Sequence, residues 1–146
     1  MTFVKRVVLD TSTLVSAVLR PTSVPRQAFM KALAEAELCV SVATLDELAT
    51  VLTRHRFDRY LNLETRLEFL ALYRRHTRLF PVTAEDETVL PMRSRDPRDD
   101  KFLALALACG AAAVVSSDDD LLSLSPYGTV PVLTPGQFVD TELAKP

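Results

Sequence analysis

Short runs of β-branched and aliphatic residues alternate along this chain with longer stretches whose apolar positions recur every three or four residues. Arg6 to Asp10 (RVVLD), Leu38 to Val42, Leu79 to Val82, Ala113 to Ser116 and Val130 to Leu133 have the length and composition of buried strands. Between them, spacings such as Phe29, Leu33 and Ala36, or Leu45, Leu48, Ala49 and Leu52, predict amphipathic helices. Strand and helix alternating in this way, with right-handed crossovers, predict an α/β fold. The expected architecture is a three-layer α/β/α sandwich, with a five-stranded parallel sheet between the helices. A longer insert, Arg54 to Arg78, predicts a helical pair joined near Asn62. Pro21 and Pro25 bracket a loop, and Pro126 with Gly128 marks a turn before the last strand.

At 146 residues, 48% of them hydrophobic, the chain has the bulk for one ordinary core, so a single domain over residues 1–146 is expected. The net charge of −2 is too small to draw in a polyanion or a membrane surface, so any nucleic-acid contact must rest on local patches. Cys39 and Cys109 stand alone in apolar stretches without a CxxC spacing, which suits buried thiols in a reducing compartment. The longest apolar stretch, Leu103 to Val115, is broken by Gly110 and is too short for a membrane span. No signal-peptide core precedes Asp10. A soluble, cytoplasmic protein without membrane contact is expected.

The chemistry lies in three acidic stations: Asp10, the trio Asp96, Asp99 and Asp100, and the triplet Asp118 to Asp120. Each falls where a strand ends or a helix begins. In an open parallel sheet those points share one edge, and ligands bind there, where the strand order reverses. If the first and fourth strands are neighbours, Asp10 and Asp118 meet. Asp10 also reads as a helix cap, and so does Asp96 before Pro97. Asp99 heads a stripe of Phe102, Leu103 and Ala106, which favours it over Asp100 as the acid that faces inward, though Asp100 has a stripe of its own. Asp118 lies nearest the strand end, with Asp120 second. Glu47 fits a capping box with Thr44 as well as it fits a site residue, because the first turn after the second strand lies over the same edge.

Two carboxylates about 4 Å apart repel by roughly 1 kcal/mol in water and by about 4 kcal/mol at the effective dielectric of a protein surface. Several together call for protons or a hard cation, and an all-oxygen set suits Mg²⁺ or Mn²⁺. Without a Cys/His cluster, zinc is not the expected ion. Such a centre serves displacement at a phosphodiester, so hydrolysis of nucleic acid is the expected reaction. Arg93, Arg95 and Arg98 immediately precede the third acid and are candidate phosphate contacts. The other arginine clusters, including Arg66 to Arg78, read as solvated helix faces, and His55 and His76 lie in the insert, away from the strand ends.

Four segments, VVLDTSTLVSAVLR, VSVATLDELATVL, RDPRDDKFLALALACGA and VVSSDDDLL, resemble in order the motifs of PIN-domain nucleases, and most closely the VapC-like toxins of bacterial toxin-antitoxin systems. The resemblance runs from Val4 to Val139. It implies a five-stranded parallel α/β/α sandwich in which Asp10, Glu47, Asp99 and Asp118 bind Mg²⁺ or Mn²⁺ for RNA hydrolysis. Ser12 stands where many relatives have Asn, and Ser116 matches a hydroxyl position that supports the fourth acid. The resemblance also implies a cognate antitoxin protein and a homodimer, with the Arg54 to Arg78 insert as one contact surface.

Other acid-bearing α/β folds fit less well. A phosphorelay receiver would need an Asp after the third strand, where Thr83 stands, and a Lys after the fifth. A phosphatase of the haloacid dehalogenase type would need a second Asp at Ser12. The remaining alternatives are a non-catalytic module that keeps the fold and binds RNA or a protein, and a housekeeping RNA-processing nuclease.

Overall fold

A computed structural model describes residues 5–143; Val4, where the resemblance starts, lies outside them. Its five strands are β1 (Arg6–Leu9), β2 (Glu37–Val40), β3 (Arg78–Leu79), β4 (Ala113–Val115) and β5 (Val132–Leu133). They form one sheet in the order β3-β2-β1-β4-β5, every pair parallel. The first strand is therefore central, and the order reverses between β1 and β4, where Val8 lies opposite Val114 and Leu9 opposite Val115.

Side chains of a strand point alternately to its two faces, and the sheet's two cores follow that period. Val7, Leu9, Val40 and Val115 pack on one face against α1 (Thr11–Leu19), α2 (Val24–Glu35), α3 (Val42–Leu52), α4 (Leu63–Arg75) and, late in the chain, α8 (Pro135–Asp140). Val8, Cys39, Val114 and Val132 pack on the other, chiefly against α6 (Asp100–Cys109). The short helices α5 (Ala84–Thr88) and α7 (Asp119–Leu122) complete the expected sandwich. Both cysteines are buried and free. Among the described residues, no helix is long and apolar enough to cross a membrane.

Several boundaries differ from the sequence pattern for identifiable reasons. The second strand stops at Val40 instead of Val42, because Ser41 and Thr44 cap each other's backbone N–H groups and turn the chain into α3. The third strand is only Arg78–Leu79; the Phe80 N–H still bonds the Val40 carbonyl at 2.8 Å, but Pro81 has no N–H to extend the ladder. Val130 precedes Pro131 and pairs back with Tyr127 across a turn that Gly128 closes at φ 61°, so β5 begins at Val132. Pro25 lies in the first turn of α2, where a missing N–H costs nothing, and not in a loop. The insert is one α-helix, α4, preceded by a 3₁₀ turn at His55–Phe57, and not a helical pair.

Arg66 on α4 explains that shape. Far from lying on a solvated face, it is wholly buried. Its guanidinium donates to the carbonyls of Leu61 at 2.9 Å, Leu52 at 2.5 Å and Arg54 at 3.1 Å, and to the Asp58 carboxylate. One side chain thus gathers both ends of the segment from Leu52 to Leu61.

Candidate active site

The carboxyl ends of β1 and β4 open into a cleft of about 810 Å³. Six acids line it, and four of them, Asp10, Glu47, Asp99 and Asp118, come one from each of the four motifs; Asp46 and Asp96 are the other two. Asp10 follows β1 and caps α1, its Oδ1 accepting the Thr13 N–H at 2.9 Å and the Ser12 hydroxyl at 3.2 Å. Its Oδ2 accepts the Ser116 hydroxyl at 2.5 Å. Capping and site roles are thus compatible, since one oxygen caps the helix while the other faces the end of β4. The carboxyl is nearly fully buried, and that burial raises its pKa above the ordinary value, partly offset by the Ser116, Thr13 and Ser12 bonds.

Asp118 repeats the device on β4. Its Oδ1 accepts the Asp120 N–H at 2.8 Å and caps α7, while its own N–H donates to Ser116 Oγ at 2.9 Å. Ser116 is fully buried and joins the two strand ends through one hydroxyl.

Asp99 ends a 3₁₀ turn, Pro97–Asp99, and stands at the entry to α6. Its pKa is pushed up to about 7, first by burial, then by the negative charge of Asp118 and, behind it, those of Asp96 and Asp10. The Asp99 and Asp118 carboxyls can bond each other only through a shared proton, because two ionised carboxylates are acceptors alone. With both ionised, Asp99 Oδ2 is buried without a hydrogen-bond partner.

Glu47 lies on α3, which begins at Val42 with Ser41 as its cap, so Glu47 is not the capping-box residue that the Thr44 spacing allowed. It is held from two other elements instead. Thr11 on α1 donates to its Oε2, and Lys101 Nζ on α6 donates to its Oε1 at 2.8 Å. Thr11 and Lys101 were not among the sequence candidates. A lysine in the first turn of a helix opposes the helix dipole, and that misplacement was the one signal that Lys101 has an acidic partner.

Of the second-rank acids, Asp100 and Asp120 lie outside the cleft, while Asp96 lines it. Asp100 is the buried member of its pair: Oδ1 accepts the Ser94 N–H at 2.9 Å, and the side chain does not line the cleft. Asp99 lines the cleft as expected, but not by helix phase, since it precedes α6 in a 3₁₀ turn and does not share the stripe it seemed to head. Asp96 is the expected cap. It accepts the Arg98 N–H at 3.0 Å and pairs with its guanidinium at 2.8 Å, which lowers the Asp96 pKa. Asp120 contributes its backbone N–H to Asp118 and does not line the cleft. Of the three arginines before the third acid, Arg98 lines the cleft, Arg93 bonds the Thr88 carbonyl at 2.9 Å, and Arg95 is exposed outside it.

Among the described residues, no three Asp, Glu, His or Cys side chains converge into a ready-formed metal centre. Glu47 instead pairs with Lys101, Asp10 accepts hydroxyl and amide hydrogen bonds, and burial beside Asp118 pushes the Asp99 pKa up to about 7. The donor set nonetheless fits a hard divalent cation. It is all carboxylate, without His or Cys in the cleft, and it includes a buried oxygen, Asp99 Oδ2, that lacks a protein partner.

A sheet of this order with acids at its central switch point defines an α/β ligand-binding class. The chain belongs to the PIN-domain family, whose model matches residues 6–120. No curated protein matches the chain. Several solved structures share its fold at low identity. A chain of VapBC2 from Rickettsia felis, bound to a DNA fragment from their promoter, is 12% identical with a TM-score of 0.61, the match covering 88% of this chain and 98% of that one. VapC20 of Mycobacterium tuberculosis, a Sarcin-Ricin loop cleaving toxin, is 18% identical with a TM-score of 0.56, over 86% of this chain and 98% of that one. DNA-bound VapBC from Salmonella typhimurium is 17% identical with a TM-score of 0.60, over 90% and 98% respectively.

Proposed function

We propose that the protein is a Mg²⁺- or Mn²⁺-dependent endoribonuclease and the toxin of a toxin-antitoxin pair. The observation that carries the reading is the meeting of Asp10, Glu47, Asp99 and Asp118 in one cleft at the switch point of a PIN-domain sheet. These four carboxylates hold the cation. Bound there, it supplies positive charge for a phosphodiester's oxygens and activates water. The chain's own contribution is positional. Ser116 and Thr13 fix the two oxygens of Asp10, Thr11 and Lys101 orient Glu47, and Asp99, with its partnerless buried Oδ2, would offer an oxygen to the cation. Arg98 at the cleft wall is a candidate for the phosphate, with Arg93 and Arg95 as outlying candidates.

The toxin assignment draws support from the four-motif resemblance and from the shared fold of VapC20, itself a Sarcin-Ricin loop cleaving toxin. It brings with it an antitoxin protein that covers the acidic site, and a cytoplasmic homodimer. The competing reading is a PIN-fold module that binds without cutting, and the Lys101–Glu47 bond favours it by occupying one of the four carboxylates. Purified protein incubated with a panel of cellular RNAs separates the two. The nuclease cuts with Mg²⁺ or Mn²⁺ and stops with chelator; metal-independent cutting, or binding without cutting in either metal, overturns it.

A further inference from the structure

The cleft does not end at the carboxylates. Helices α1 and α3 both start beside them, and both run outward along the cleft to a different chemistry. On α3 the lining face runs from Glu47 through Thr50 and Val51 to Arg54, just past the helix end. On α1 it runs from Ser12 through Val15 and Leu19 to Arg20. The eight residue steps from Ser12 to Arg20 span roughly 12 Å at a helical rise of about 1.5 Å per residue. At that far end stand Arg20, Arg54, Arg56, Phe57 and Tyr60.

This outer half has the opposite charge to the inner one, and it carries aromatic surface. Phe57 packs its ring against the core, with the Arg56 guanidinium 4.8 Å from the ring centroid. Tyr60 is different: 59% of it is exposed, with the Arg59 guanidinium 5.2 Å from its ring centroid. An exposed tyrosine on a short loop would ordinarily lose much freedom on binding anything. Here the loop is already fixed, because buried Arg66 ties the Leu52, Arg54 and Leu61 carbonyls and Asp58 together beneath it. A pre-organised aromatic among arginines is the surface on which unpaired bases stack while their phosphates are held.

We propose that this outer half of the cleft is a track for the single-stranded RNA that flanks the scissile bond, with Tyr60 stacking on a base and Arg54, Arg56 and Arg20 holding phosphates. The inference rests on the ribonuclease reading for its substrate, and it adds the direction in which the strand leaves the carboxylates and the residues that grip it. Stacking on Tyr60 requires an unpaired base, so the track selects single strands over duplex. Charge complementarity favours a polyanion over an apolar protein segment at the far end, where Arg20, Arg54 and Arg56 stand with the exposed Tyr60 ring beyond the aliphatic Val15, Leu19 and Val51.

The test is binding, kept apart from cutting. Fluorescence anisotropy of the full chain with a labelled, unstructured RNA of about 12 nucleotides, in chelator and again in Ca²⁺, gives the affinity. Tyr60→Ala is expected to weaken binding about 5- to 100-fold, and Tyr60→Phe to retain it, because the ring and not the hydroxyl makes the contact. The double variant Arg54→Ala/Arg56→Ala should reduce the slope of log affinity against log salt by about 1.4. Unchanged melting temperature for Tyr60→Ala shows that its effect is not misfolding. Affinity for Tyr60→Ala within about twofold of the parent overturns the track, as does a parent protein that binds no RNA in either condition while a protein segment occupies the cleft. Cleavage with Mn²⁺ is scored separately: loss of cutting with Tyr60-dependent binding intact sinks the nuclease reading and leaves the track standing.

Discussion

Ser116 Oγ donates a 2.5 Å hydrogen bond to Asp10 Oδ2 and accepts the backbone N–H of Asp118 at 2.9 Å, so one buried hydroxyl sets the spacing of two acids from opposite ends of the chain. Ser116→Ala leaves the Asp118 N–H and one Asp10 oxygen without this partner. The expected cost is about 1–3 kcal/mol of stability, read from urea denaturation. Such supporting bonds also tune the ligands they hold, so the Mn²⁺ concentration for half-maximal cleavage should rise about 10- to 100-fold. A variant with parental stability and parental metal dependence would remove Ser116 from the account.

Burial and the neighbouring Asp118 charge push the Asp99 pKa up to about 7, against an ordinary value of 3.8. The folded state therefore holds a proton between pH 4 and 7 that the unfolded chain releases. By linkage, the stability tied to that proton is complete below about pH 4 and is lost as pH rises through about 7. Asp10, also raised by burial, acts in the same direction. In chelator, the melting temperature should fall from pH 5 to pH 8, and Asp99→Asn should flatten the fall. Added Mn²⁺ should restore the parent at pH 8 and have little effect on Asp99→Asn. A parent curve that rises over this range would contradict the assignment.

How far these features could be read from sequence depends on how local their causes are. Val7, Val8 and Leu9 followed by Asp10, and Val114 and Val115 followed by Ser116 and Asp118, were legible because a buried strand and the acid at its end are consecutive residues. The pairing of β1 with β4 that unites them was only a condition of that reading, which the structure meets. Glu47 was not separable from a capping residue, because the cap that decides the matter, Ser41, lies six residues upstream and makes an equally ordinary local pattern. Asp99 was preferred to Asp100 on a helix phase carried back into a 3₁₀ turn; Asp99 does line the cleft, but it is Asp100 that is buried. Thr11, Lys101 and Arg66 were illegible for a tertiary reason: each acts through a partner on another element or a loop, and an arginine in a polar helix looks the same whether it is solvated or buried.

Lys101 pairs with the Glu47 carboxylate, which under the proposed function a divalent cation would have to share. Replacing the lysine by methionine keeps most of the stem and removes the competitor. For a partly exposed pair worth up to about 1 kcal/mol, Lys101→Met should bind Mn²⁺ roughly two- to fivefold more tightly, read from the midpoint of a thermal-shift titration. Weaker Mn²⁺ binding in this variant would mean that Lys101 supports the site and does not compete with the cation.

Arg66 is the wholly buried guanidinium under the Leu52 to Leu61 segment. Arg66→Leu fills much of the volume but abandons three carbonyls and Asp58. The loss should be about 3 kcal/mol or more in urea denaturation. A near-neutral result would mean that the segment holds its shape without the arginine, and the pre-organisation of Tyr60 would need another cause.

The central claim is that the four carboxylates gathered at the β1–β4 switch point cut RNA with a divalent cation. Its most direct measurement is the RNA cleavage rate in Mn²⁺ of Asp10→Asn beside the parent, with circular dichroism to establish that both are folded. The account predicts metal-dependent cleavage by the parent, abolished by chelator, and a fall of at least about 100-fold in the variant. Full activity in folded Asp10→Asn, or cleavage by the parent that persists in chelator, would contradict it.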